Sequence, residues 1–140
     1  LVEVRVQLVF LKSAEQHYSI MNKLEKVFKS LIIVNFLISI LITINIFYSN
    51  DYNFDQINLG LVITILYALI WFFSLYKIYN YSKIGLNLYI SLTFLGFFFN
   101  ILSNLSYLGK ALYILSLTEH MIIGSILTFS YFSKLNSKFK

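Results

Sequence analysis

Four long stretches without a charged residue constrain this chain more than any other feature. Residues 30–50, 56–76 and 84–109 contain no Asp, Glu, Lys or Arg, and residues 111–133 form a fourth stretch interrupted only by Glu119, with His120 beside it. About 20 apolar residues of helix cross the hydrocarbon core of a bilayer, so each stretch is long enough to span one. A barrel strand alternates apolar and polar over roughly 10 residues, whereas these stretches are apolar on all sides for about twice that length. Helices are therefore expected, and the absence of proline favours unbroken ones. Charged residues make up 12% of the chain, against about 25% in ordinary soluble domains. The fold predicted is an all-α membrane protein, an antiparallel bundle of four transmembrane helices spanning about 31–48, 57–76, 84–105 and 111–133.

Orientation follows from the basic residues. Ten of the eleven fall in three places: the N-terminal segment (Arg5, Lys12, Lys23, Lys26, Lys29), the second loop (Lys77, Lys83) and the tail (Lys134, Lys138, Lys140). Only Lys110 falls on the opposite side, with the loop aspartates Asp51 and Asp55. Cytoplasmic loops collect Lys and Arg, so both termini are expected in the cytoplasm. Tyr48, Tyr76, Tyr107, Tyr113 and Tyr131 lie near predicted span ends, where amphipathic rings suit the interface. The prevalence of Ile, Leu, Phe, Tyr, Asn and Lys points to an AT-rich genome, and hence to a bacterial inner membrane or an organellar inner membrane. The net charge of +5 reflects loop placement and gives no reason to expect nucleic acid.

The N-terminal region divides in two. Residues 1–12 alternate like a strand, with Val2, Val4, Val6, Leu8 and Phe10 on one side, although a lone strand has nothing to pair with. Residues 1–20 are read as an extension, either a leader or a start placed upstream of the true one at Met21, ahead of a transmembrane domain over 21–140. Within 13–30, Ile20, Leu24, Val27 and Phe28 fall at helical spacing, which predicts a short amphipathic helix lying on the membrane before the first span.

Each span carries a stripe of small or polar residues. These are Asn35, Ser39 and Thr43 in the first, Gly60, Thr64 and Ala68 in the second, Thr93, Gly96, Asn100 and Asn104 in the third, and Ser116, His120, Gly124 and Thr128 in the fourth. Lipid offers no hydrophobic force to join helices, so close approach and interhelical hydrogen bonds must do it. The stripes are expected to face inward as packing surfaces.

Glu119 and His120 are the candidates for chemistry. A charged side chain at mid-bilayer costs about 3 kcal/mol or more, so such residues face protein or water and mark proton or ion pathways by default. Adjacent helix positions point about 100° apart, so the two are not a mutual pair. His120 shares a face with Ser116 and Gly124, and Glu119 is expected to find partners at Asn100 or Asn104. A purely structural role, as hydrogen-bonding glue between helices, is the favoured reading of the pair, ahead of proton or cation passage.

Other chemistries lack their residues. The chain has no cysteine, and His17 and His120 are its only histidines, so neither a metal site nor a bound cofactor is expected. No His-Glu-x-x-His, Gly-x-Ser-x-Gly, phosphate loop or dinucleotide fingerprint occurs, so the protein is not expected to be an enzyme. The first expectation is a non-enzymatic component of a membrane complex, working by helix packing with other membrane subunits or with itself. The alternative is a small proton- or cation-coupled transporter or channel using Glu119 and His120.

Overall fold

A backbone in hydrocarbon must satisfy its own N–H and C=O groups, and these apolar stretches do so as helices. The computed structural model describes residues 2–49, 59–102 and 109–140, with side-chain surroundings for 15–45, 59–98 and 109–140 except Leu61 and Ala111. It contains four α-helices: α1 (Val2–Ser49), α2 (Leu59–Tyr79), α3 (Lys83–Leu102) and α4 (Lys110–Phe132), followed by a short 3-10 helix, Lys134–Lys138. Among the described residues there is no strand.

The N-terminal region departs from expectation. Residues 2–12 are helical despite their alternation, and no break separates the amphipathic segment from the first span. One helix of 48 residues, about 72 Å long, replaces the separate surface helix. The reason is local. No glycine or proline occurs between Val2 and Ser49 to turn the chain, and a helix pairs backbone groups that a lone strand would leave open.

α2 and α3 form a tight antiparallel hairpin. The backbone N–H of Ser82 donates to the Lys77 carbonyl at 3.0 Å and that of Tyr81 to Ile78 at 2.8 Å, the paired bonds of a Schellman ending. That ending needs a left-handed residue, and Tyr81 takes it at φ 57°. Gly85 then allows the helices to touch, because a Cβ there would lie 2.3 Å from the Cβ of Lys77.

α2 packs on α3, α1 on α4, and α1 also on α2. The core runs through the middle of this group: Phe28 and Ile32 of α1, Trp71 and Leu75 of α2, Tyr89 of α3 and Ile126 of α4. Outward faces are apolar as well, with Leu37, Leu69, Phe98 and Leu117 at least half exposed. α1, α2 and α4 contain segments long and apolar enough to cross a membrane (Glu15–Asn45, Val62–Tyr79 and Leu112–Phe132), whereas the described apolar part of α3, Lys83–Phe98, is shorter. An apolar exterior around a helical core marks a membrane protein.

The tail closes one end of the bundle. Leu135 and Phe139 are buried, and Phe139 meets Phe28 and Tyr81 edge-on at 6.0 and 5.5 Å. Lys140 pairs with the α2–α3 turn through both its N–H, to Tyr81, and its C=O, from Lys83. Glu25 holds Lys138 at 2.5 Å and Lys29 at 3.3 Å. Lys29, Lys138 and Lys140 therefore gather at the end where Lys77 and Lys83 flank the turn.

Candidate functional site

The buried face of α4 runs Leu112, Glu119, Ile123, Ile126 and Ser130, one helical stripe. Apart from Glu119, which is half-buried, all are 9% exposed or less. This stripe carries Glu119 inward and rotates His120, Gly124 and Thr128 outward, where all three are exposed. The inward orientation expected for the small residues of α4 is thus corrected. Bulky Ile123 and Ile126 fill the core side, and a Cβ on Gly124 would meet nothing within 4 Å. Gly60 of α2 is exposed too.

Glu119 meets α1 rather than α3. Ser39 Oγ donates to Glu119 Oε1 at 2.5 Å, and the indole N–H of Trp71 donates to Ser39 Oγ at 2.9 Å. Three helices are joined through one hydroxyl. Ser39 was legible as a packing residue and serves here as the partner sought at Asn100 or Asn104. Asn104 and the side chain of Asn100 lie outside the described residues. One helical turn before Ser39, Asn35 is fully buried and donates to the Tyr89 hydroxyl of α3 at 2.8 Å. Trp71 is sandwiched between Tyr67, 6.2 Å away, and Tyr89, 4.8 Å away. Trp71, Tyr67 and Tyr89 do not stand out in the sequence, because aromatic residues abound in every helix.

Beside the carboxyl lies a cavity of about 140 Å³ reached by all four helices, roomy enough for several waters. Its polar wall comprises Ser39, Thr43, Thr64, Tyr67, Thr93 and Glu119, with His120 at the same cavity; Ala68 and Gly96 also line it. Gly96 admits Tyr67, whose hydroxyl would lie 2.6 Å from a Cβ at that position.

The hydroxyls share one property. Thr43 donates to the carbonyl of Ser39 at 2.7 Å, Thr64 to Gly60 at 2.9 Å and Thr93 to Tyr89 at 2.8 Å, each within its own helix. Tyr67 donates to the Leu92 carbonyl at 3.0 Å. His120 Nδ1 lies 2.7 Å from the Ser116 carbonyl, which only accepts, so Nδ1 carries a proton and spends it there. Every hydroxyl proton, the indole N–H and the imidazole Nδ1–H of this wall is committed, and what faces the cavity is lone pairs. Glu119 Oε2 has no hydrogen bond among the described residues. Such a wall repels anions and suits a cation or a proton. No group of three or more His, Cys, Asp or Glu side chains converges among the described residues.

Compared with protein-family models, with curated proteins and with solved structures, the chain matches none of them significantly.

Proposed function

We propose that the protein is a small proton- or cation-coupled transporter or channel, with all four helices crossing the membrane and Glu119 as its central binding group. The observation carrying this reading is the interhelical cavity beside Glu119, walled by acceptors whose protons are already spent. Structural glue alone would leave no reason for a polar cavity of that size next to the carboxyl. The clustering of Lys29, Lys77, Lys83, Lys138 and Lys140 at one end supports both termini lying in the cytoplasm. The reading contains no catalytic step. In reconstituted vesicles the purified protein is expected to carry a flux driven by a pH gradient, and Glu119→Gln is expected to abolish it. Undiminished flux in that variant removes Glu119 from the mechanism.

A second reading, a non-enzymatic subunit of a larger membrane complex or homo-oligomer, is favoured by the outward stripe of α4. His120, Gly124 and Thr128 lie exposed on one face, and small residues in lipid serve close helix approach. Native mass spectrometry of the protein extracted from its own membrane separates the two. Stoichiometric unlike subunits favour the second reading, and a bare monomer with flux favours the first.

A further inference from the structure

We propose that the Glu119 cavity binds a small protonated primary amine, an alkylammonium ion. The inference rests on the cation reading above and names the ligand class that the wall selects. A primary ammonium brings three N–H donors and no acceptor. The wall offers the reverse: Glu119 Oε2 has no hydrogen bond among the described residues, and the oxygens of Thr64, Thr93 and Tyr67 have given their protons to backbone carbonyls. An anion would find no uncommitted hydroxyl or indole donor on this wall.

The rest of the wall distinguishes an amine from a bare metal ion. Ile42, Phe72, Phe97 and Ile123 line the same cavity. An alkali ion would leave these groups without a partner, whereas an alkyl group packs on them. Trp71 and Tyr67 line the cavity as well and add aromatic surface on which the alkyl group packs. A quaternary ammonium would use the rings and waste the acceptors. The combination of acid, acceptors, rings and aliphatic wall fits the primary ion best.

Trp71 is the only tryptophan in the chain and lines this cavity, so its emission reports the site directly. The experiment titrates the purified full chain in detergent with n-butylammonium. Butyltrimethylammonium, 1-butanol, Na⁺ and K⁺ serve as comparisons. A saturable change in Trp71 emission is expected with n-butylammonium, weakened about tenfold or more for the trimethyl analogue, which lacks N–H donors. Glu119→Gln, verified by its melting curve, is expected to lose the response. Should that variant fail to fold, Thr64→Val and Thr93→Val keep the carboxyl and shape while removing one acceptor each, and each is expected to weaken binding several-fold.

Equal responses to n-butylammonium and its trimethyl analogue or 1-butanol overturn the proposal, as does an unchanged response in the folded variants. A saturable response to Na⁺ or K⁺ with none to the amine overturns it while leaving cation transport standing. Amine binding without any flux in vesicles upholds this site and removes the transport reading.

Discussion

Tyr81 holds a position that normally belongs to glycine. Its left-handed backbone costs about 1 kcal/mol for a residue with a Cβ. The ring stacks on Phe28 at 5.7 Å, meets Phe139 edge-on, and lies under the ammonium groups of Lys29 and Lys138. Losing a fully buried aromatic ring costs about 3–5 kcal/mol and losing this partly buried one somewhat less, so ring packing still outweighs backbone strain. Tyr81→Gly is accordingly expected to lower stability by about 2–4 kcal/mol despite its easier backbone. The hydroxyl has the opposite balance. It is buried with no well-formed hydrogen bond among the described residues, and burial, followed by the nearby Glu25 carboxylate, pushes its pKa above the ordinary tyrosine value. Tyr81→Phe is expected to be neutral or to stabilise by up to about 1 kcal/mol. Thermal melting of the two variants in detergent checks both signs.

Among the helices, two glycines should respond differently to one methyl group. Gly85 sits where α3 leaves the turn against α2, and its substituent would meet backbone as well as the Lys77 side chain, with the Lys77 carbonyl carbon at 2.9 Å. Backbone cannot swing aside as a side-chain tip can. Gly85→Ala is expected to cost about 2–3 kcal/mol by overpacking, whereas Gly124→Ala, with open space around it, should leave the isolated protein's melting point unchanged. If Gly124 packs against a partner subunit, its alanine variant should still weaken that association, which cross-linking in native membranes would read.

The elements were largely legible in the sequence, and their facing was not. Uncharged stretches identified the helices because length and hydropathy alone decide them. Which side of each helix looks inward was obscure for a physical reason: lipid and protein interior are equally apolar, so a membrane helix has little amphipathic contrast. Small residues were the remaining clue. On α1, Asn35 and Ser39 are buried, whereas on α4 it is Ile123 and Ile126 that take the core. The acid itself was plain at Glu119; its partner was not, because Ser39 lies 80 residues away. The long α1 was missed because strand-like alternation in 1–12 outweighed the lack of any breaker.

At the scale of the whole molecule, tail and bundle are joined at Glu25. Its carboxyl is held below the usual range, chiefly by its hydrogen bond to Lys138; burial opposes this, and Lys29 adds a smaller lowering effect. A lowered carboxyl pKa contributes stability that is present above the unfolded-state value and is lost as pH falls through the folded one. The pair is partly exposed, so its contribution is no more than about 1 kcal/mol. Tail docking should therefore weaken on acidification below the ordinary carboxyl range, and Glu25→Gln should remove that acid sensitivity. Protease cleavage after Lys134 or Lys138, followed against pH, measures it.

The single hydroxyl joining α1, α2 and α4 also bears on how the chain is made. α1 is synthesised before the helices that satisfy it: Trp71 and Tyr89 follow in the α2–α3 hairpin, and Glu119 comes last. During insertion, Ser39 and Asn35 enter the bilayer ahead of their interhelical partners, and although the Ser39 hydroxyl can turn to a carbonyl of its own helix, the Asn35 amide is costly in lipid until Tyr89 arrives. A chain stalled before α4 thus displays an incomplete polar seam within the membrane.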